Sequence, residues 1–198
     1  MASKRRSGLA NDRRAFNYYY PKISVIYPKN ESVCPSISLD DIATLVGATY
    51  TLNANTTLLA CQTLLIPSGY TFTIPGGLTL TNYGRINNKG TITNNGTITN
   101  NGFIYNNGIF TNEGINLVFG GIIYNNGGTI KNEGTFIIGN LAIPGGIIYN
   151  YNNGTITNNV VTFTNYSTLY NANGSSTCGT GILNGTFPPT ATGTSCPP

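Results

Sequence analysis

Apolar and polar residues repeat in units of six between residues 84 and 120. Glycine begins each hexad, at positions 84, 90, 96, 102, 108, 114 and 120. In the regular copies the third residue is apolar and the fifth is asparagine, which gives the series Ile86, Ile92, Ile98, Ile104, Phe110 and the series Asn88, Asn94, Asn100, Asn106, Asn112. A fixed short period is typical of stacked repeat units rather than of an ordinary globular core.

Each hexad predicts a short strand followed by a turn. Thr-Ile-Thr alternates with a period of two, and Asn-Asn-Gly favours a turn because both residue types enter the left-handed region. Strands this short must stack on neighbouring coils, which predicts an all-β, single-chain parallel β-helix, or β-solenoid. Three hexads per coil place isoleucine inside and stacked, mutually bonded asparagines at the corners. The pattern leaves the handedness open.

The segments around the hexads differ in composition and predict four parts. These are an extended basic arm (1–29), an N-terminal cap (30–65), the β-solenoid (66–170) and a loop-rich tail with cysteines (171–198). In the cap, Ser38 followed by Asp40 and Asp41 predicts a short helical turn. Strands are predicted at residues 49–52 and 58–66. The atypical cap suits the need of a solenoid to close its exposed end.

The arm carries most of the positive charge. It holds seven of the ten basic residues and one acid, whereas the other 169 residues have three basic and five acidic groups. Its basic and aromatic side chains predict contacts with a neighbouring protein subunit, or stacking on nucleic acid bases, which stays an alternative. The residues proposed for this contact are Arg5, Arg6, Arg13, Arg14, Tyr18, Tyr19 and Tyr20.

One face of the predicted solenoid collects apolar side chains. With three hexads per coil, the hexads that begin at Gly84, Gly102, Gly121 and Asn140 share a face. Large exposed apolar patches usually mark interfaces. We therefore expect the outward side chains Phe103, Tyr105, Ile122 and Tyr124 to contact another subunit, with Leu141 and Ile143 extending the stripe.

The remaining two faces are richer in threonine. Flat threonine arrays are a feature of ice-binding β-helices, but Thr91 is predicted to stack under Ile109 and Thr97 under Ile115. The hexad count therefore predicts that no continuous threonine face forms.

Residue types needed for catalysis are scarce. Only 8% of residues are charged and there is no histidine. Asp40 and Asp41 fall at a helix start, where acids are stabilised by the helix dipole. Glu113 and Glu133 fall at corners. Neither an enzyme activity nor a cofactor or metal site is predicted.

The four cysteines allow three pairings. The local choice pairs Cys34 with Cys61 and Cys178 with Cys196. Free thiols are the alternative, because no secretory signal is recognised and the chain is expected to be made in a reducing compartment.

The hexads resemble two groups of proteins. The first is the hexapeptide-repeat, left-handed β-helix family. Its repeats have a small and an aliphatic position, which resemble Gly90 and Ile92, or Gly96 and Ile98, in this chain. Many members of that family are acyltransferases with a histidine base, so the resemblance does not extend to activity here.

The Asn-Asn-Gly-Thr-Ile hexads and the Ile-Pro-x-Gly turns over residues 64–158 also resemble Asn-rich repeat proteins of large DNA viruses. That resemblance implies a minor capsid or virion protein, assembled in the host cytoplasm, with other capsid proteins or copies of itself as partners. No apolar run long enough to cross a membrane is present. The alternative is a fibre or adhesin module that binds glycans.

Overall fold

The fold is described by a computed structural model for residues 34–139, 145–159, 162–171, 174–178 and 182–185. These residues contain the short helix α1 at Leu39–Ile42 and strands of three to five residues. The strands are β1 Ala43–Val46, β2 Thr49–Leu52, β3 Thr56–Leu58, β4 Thr63–Ile66, β5 Thr71–Ile74, β6 Thr79–Asn82, β7 Arg85–Asn88, β8 Thr91–Asn94, β9 Thr97–Asn100, β10 Phe103–Asn106, β11 Ile109–Asn112, β12 Ile115–Val118, β13 Ile122–Asn126, β14 Thr129–Asn132, β15 Thr135–Ile138, β16 Ile147–Tyr151, β17 Thr155–Asn158, β18 Thr162–Asn165, β19 Thr168–Asn171, β20 Ser176–Cys178 and β21 Ile182–Gly185.

Successive strands of a coil belong to three different sheets. Sheet A has the order β1-β2-β5-β8-β11-β14-β17-β20, sheet B the order β3-β6-β9-β12-β15-β18-β21, and sheet C the order β4-β7-β10-β13-β16-β19. Apart from the antiparallel β1–β2 pair, the described pairings are parallel. The predicted parallel β-solenoid is therefore confirmed, with about six turns.

Coil length is regular only in the middle of the solenoid. Arg85 pairs with Phe103 at a step of 18 residues, as three hexads require. The next partner, Ile122, follows after 19 residues, and Ile147 after a further 25. The prediction that the hexad beginning at Asn140 stacks on Ile122 is therefore wrong. This coil is therefore six residues longer than the preceding one on sheet C, and residues 140–144 lie outside the described part.

Inward positions form a continuous apolar core. Ile86, Ile98, Ile104 and Phe110 have no exposed surface, and Ile92 is 1% exposed. Their alternation with half-exposed neighbours is the period-two pattern of strands that are buried on one face.

The fifth residue of the hexad points inward as well, so its asparagine is buried rather than solvated. Asn88 Nδ2 donates to Asn106 Oδ1 at 2.7 Å, and the other Nδ2 hydrogen reaches the carbonyl of Ile109 at 2.8 Å. The same arrangement repeats along two ladders, Asn88-Asn106-Asn125-Asn150-Asn171 and Asn94-Asn112-Asn132-Asn158. These ladders confirm the predicted side-chain bonding and give the buried Nδ2 groups acceptors, whereas the first oxygen of each ladder, Asn88 Oδ1 or Asn94 Oδ1, has no partner among the described residues.

The hexad glycines are required by close approach rather than by a left-handed backbone. None of the described glycines with positive φ begins a regular hexad; they are Gly47, Gly69, Gly77, Gly127, Gly139 and Gly174. A Cβ at Gly108 would overlap the carbonyl oxygen of Gly90 in the preceding coil. The turn prediction was correct in position, but its stated reason was wrong.

The cap follows its prediction in part. Ser38 precedes α1, and its N–H and Oγ–H both donate to Asp41 Oδ2, at 2.7 and 2.8 Å. The predicted strand at 58–66 is wrong, because it divides into β3 and β4 at a turn in which the Gln62 N–H donates to Leu59 O at 2.9 Å. At the other end, β20 and β21 continue sheets A and B into the predicted tail.

Candidate interaction face

The outward side of sheet C is the most aromatic surface in the described part of the chain. Its strands present two columns of side chains, because alternate residues of a strand point the same way. We call these side chains the tyrosine face; the columns are Thr63, Arg85, Phe103, Ile122, Ile147, Thr168 and Leu65, Asn87, Tyr105, Tyr124, Tyr149, Tyr170.

Four tyrosines of the second column form a continuous stack, the tyrosine ladder (Tyr105, Tyr124, Tyr149, Tyr170). Neighbouring ring centroids are 5.1, 5.4 and 5.1 Å apart, and the ring planes differ by 10°, 9° and 6°. Phe103 stacks beside Tyr105 at 6.3 Å. These distances follow the spacing of about 4.8 Å between paired strands, because parallel in-register pairing repeats the same residue at each step.

The four outward residues predicted for a partner contact are brought together. Phe103 pairs with Ile122, and Tyr105 with Tyr124. The predicted continuation, Leu141 and Ile143, lies outside the described residues, and Ile147 and Tyr149 pair with Ile122 and Tyr124 instead. Hexad counting missed Tyr149 and Tyr170. A search for the repeated x-Ile/Leu-Tyr-Asn motif would have found both, since it begins at residues 103, 122, 147 and 168.

Charge is sparse on this face. Arg85 is the one charged residue among the outward positions of sheet C, and its guanidinium carbon lies 5.9 Å from the Phe103 ring centroid. That distance is within the range of a cation–π contact. The face is therefore apolar and aromatic with a single cation at one end.

No known protein family, curated protein or solved structure matches this chain.

Burial and neighbouring phenols raise the pKa of Tyr124 above its ordinary value of 10.0; the neighbours are Tyr105, Tyr149 and Tyr151. Since the raised folded-state pKa favours the neutral phenol, its contribution to stability is full below about pH 10 and is lost as pH rises through the folded pKa. We expect the melting temperature to fall above pH 10, and to fall less in Tyr124→Phe. Phenolate absorbance and thermal melts between pH 8 and 12 check this; an equal loss in both proteins contradicts it.

A small depression lies at the foot of the tyrosine face. It measures about 240 Å³ and is lined by residues of α1, β2 and β4, including Leu39, Tyr50, Thr63 and Leu65. Leu65 is 46% exposed.

Threonine covers more of sheet A than the hexads indicated. Thr91 does lie beside Ile109, and Thr97 beside Ile115. However, the three adjacent strands β2, β5 and β8 each present an outward Thr-x-Thr pair, in register; the six residues are Thr49, Thr51, Thr71, Thr73, Thr91 and Thr93. The expectation of no continuous threonine face is wrong for these strands, because the count began at residue 84 and omitted β2 and β5.

The acids singled out from the sequence are dispersed. Asp40 and Asp41 lie in the first turn of α1, where hydrogen bonds from Ser38 lower the pKa of Asp41. Glu133 pairs with Lys131, and that hydrogen bond lowers its pKa. Within the described ranges, no three histidine, cysteine or acidic side chains gather as a metal site would require.

A disulfide joins Cys34 to Cys61, with the Cα atoms 5.9 Å apart, and attaches the start of the cap to the first coil. Cys178 is also disulfide-bonded. Cys196 lies outside the described residues, as do the arm residues Arg5, Arg6, Arg13, Arg14, Tyr18, Tyr19 and Tyr20. The part of the chain that the structure describes has no helix long and apolar enough to cross a membrane.

Proposed function

We propose that this chain is a non-enzymatic structural protein that binds another protein subunit through its tyrosine face. The observation that carries the proposal is the tyrosine ladder, with Phe103, Ile122 and Ile147 beside it and only Arg85 charged. Interface cores are depleted of charge and enriched in aromatic residues and arginine. Tyrosine and arginine are also frequent among the residues that dominate binding energy.

The face is held rigidly before any partner arrives. Beneath Tyr105 and Tyr124, the inward Ile104 and Ile123 are fully buried. The adjacent Asn106 and Asn125 are bonded to each other at 2.7 Å. A surface fixed in this way loses little conformational entropy on binding, and this supports tighter association than a mobile surface of equal size allows.

The size of the face argues for a contact with more than one attachment point. Six strands spaced about 4.8 Å apart, each about 13 Å long, give a projected area of about 350 Å². A stable interface usually buries about 800 Å² on each partner. The tyrosine face therefore fits a protein that also attaches elsewhere, and the basic arm predicted at residues 1–29 is the proposed second attachment.

A small rigid body with two attachments suits a minor component that cements neighbouring subunits. We propose a place in a virus capsid, on the resemblance of the hexads to Asn-rich proteins of large DNA viruses. The partners are then other capsid proteins or copies of the same chain, and the location is the virion. Nucleic acid is the alternative partner of the arm.

Glycan binding by a fibre or adhesin is the competing proposal, because sugars stack on aromatic rings and Asn87 and Asn126 supply amides near the ladder. Sugar stacking uses the flat face of a ring. In the ladder the ring planes are within 10° of parallel at 5.1–5.4 Å, so each ring covers part of its neighbour's face. This overlap favours a protein partner.

The test uses the double variant Phe103→Ser, Tyr124→Ser, with Thr93→Ser, Thr99→Ser as the matched control on sheets A and B. We expect the face variant to lose incorporation into purified particles by about tenfold, the equivalent of one well-buried anchor. The control is expected to incorporate like the parent chain. Circular dichroism establishes that both variants are folded, and cross-linking mass spectrometry identifies the partner. Normal incorporation of the face variant, or loss of binding to a glycan array instead, contradicts the proposal.

A further inference from the structure

The tyrosine ladder places several phenols side by side in the same orientation. Tyr105, Tyr124, Tyr149 and Tyr170 occupy equivalent positions of four parallel strands, so Tyr124 and Tyr149 each have a tyrosine ring on both sides, and Tyr105 and Tyr170 each have one on a single side. Centroid distances of 5.1–5.4 Å with nearly parallel planes bring the ring edges of adjacent residues into contact range. Tyr170 is 52% exposed and the other three rings are partly exposed, so a soluble oxidant can reach the row.

We propose that adjacent tyrosines of this ladder are sites of oxidative dityrosine cross-linking, in which a carbon–carbon bond joins the ring carbons ortho to the hydroxyls. The reaction covalently connects consecutive coils of the solenoid. This inference rests on the ladder alone and concerns the free chain, in which the tyrosine face is open to solvent; it does not require that the face binds another protein.

The chemistry needs a one-electron oxidant of phenols, such as a haem peroxidase supplied with hydrogen peroxide. Each of two phenols gives up one electron and one proton and becomes a phenoxyl radical. The radicals couple at their ortho carbons, and the hydrogen on each of these carbons then moves to the oxygen to restore the phenol. In total, two tyrosines and one hydrogen peroxide yield one dityrosine and two water molecules.

Proximity decides which tyrosines react in a dilute protein. Two radicals on adjacent strands already lie at reacting distance, and this raises their effective concentration far above that of separate molecules. Tyr83 and Tyr166 are also exposed, at 51% and 45%, but neither belongs to the ladder.

A bond between Tyr105 and Tyr124 closes a loop of about one coil. Cross-links of this kind stabilise a fold chiefly by restricting the unfolded chain. Coupling along the ladder would therefore fasten the coils of sheet C to one another, independently of the disulfide at the cap.

The experiment compares the full chain with two double variants that each lose two phenols. Tyr124→Phe, Tyr170→Phe leaves Tyr105 and Tyr149 without an adjacent tyrosine in the ladder, whereas Tyr83→Phe, Tyr166→Phe leaves the ladder intact. Each dilute protein is treated with horseradish peroxidase and hydrogen peroxide. Tandem mass spectrometry of the monomer fraction then maps the peptides that are joined with loss of two hydrogens. Mapping is necessary because the chain has 13 tyrosines.

We expect the parent and the Tyr83→Phe, Tyr166→Phe variant to form Tyr105–Tyr124, Tyr124–Tyr149 or Tyr149–Tyr170 links. In the ladder variant, links that involve Tyr105 should fall by about tenfold, because Tyr124, its neighbouring phenol in the ladder, is gone. Equal yields in the two variants would overturn the proposal. So would links in the parent chain that map only to other tyrosines or only between molecules, a result that does not depend on whether a variant folds.

Discussion

Replacing Asn106 with aspartate is expected to lower the free energy of unfolding by about 3–5 kcal/mol at neutral pH, the range for an uncompensated buried charge. Asn106 is fully buried, and its Nδ2 donates to Asn125 Oδ1 at 2.7 Å and to Thr129 O at 3.1 Å. A carboxylate has no hydrogen to donate, so an oxygen would face both acceptors. The asparagine ladder would then lose two hydrogen bonds and gain an electrostatic repulsion between oxygen atoms at residue 106.

The pH dependence of this variant distinguishes the mechanism from simple loss of packing. Burial beside two acceptors raises the pKa of the introduced carboxyl above its unfolded value of about 3.9. A raised folded-state pKa means that the variant is most stable below about pH 4 and loses stability as pH rises through the folded value. Chemical denaturation at several pH values measures this.

Asn107→Asp is the matched control for the ladder, because Asn107 follows directly in the sequence but is exposed at the turn. Its side chain makes one exposed bond, to Asn126 O at 3.1 Å. We expect a loss of less than about 1 kcal/mol. Equal losses in the two variants would show that the buried ladder does not determine stability in this way.

Replacing Asn116 with leucine is expected to stabilise the protein by about 2–4 kcal/mol, which combines a gain in apolar burial with removal of unpaired amide groups. Asn116 occupies an inward position of β12 where the regular hexads have isoleucine, between Ile98 and Phe136. It is fully buried, and neither amide atom has a hydrogen-bonding partner among the described residues. Leucine branches at the same carbon, so it fills the site with little rearrangement.

The same substitution four residues earlier is expected to have the opposite effect. Asn112 is equally buried, but its Nδ2 donates to Asn132 Oδ1 and to Thr135 O, both at 2.8 Å. Asn112→Leu leaves each of these acceptors with one donor fewer, and should lower the free energy of unfolding by about 2–3 kcal/mol. Urea denaturation of both variants gives the two signs directly. A loss of stability in Asn116→Leu would mean that the core has no room for the two methyl groups.

Comparison of these two asparagines shows how far sequence reasoning reaches inside the core. The hexad predicts that Asn112 is a ladder residue, and the structure agrees. Asn116 is also an asparagine, but it occupies the apolar position of an irregular hexad. No local sequence pattern indicates whether a hydrogen-bonding partner lies within reach of its side chain. Hydrogen bonds of a buried side chain depend on residues about 20 positions away, which only the stacking brings close.

The interaction face was predictable to the extent that its coils are regular. Phe103 and Ile122 were placed together by counting hexads across one inserted residue. Tyr149 was missed because the chain takes a 25-residue step from Ile122 to Ile147. The number of residues that link two strands of sheet C has little influence on how the second strand pairs. Counting hexads across a link of irregular length therefore assigns the wrong residues to the face.

The sequence by itself determined the period, the inward isoleucines and the asparagine ladders, because identical hexads repeat the same local choice of strand, apolar contact and turn. It also determined that Phe103 and Tyr105 lie on the outward side. Only the tertiary structure decided which coil follows an insertion, that four tyrosines form one stack, and that glycine is needed at residue 108 for room beside Gly90. These features depend on contacts between coils. The way in which each coil packs on the preceding one is determined by the whole stack rather than by any one hexad.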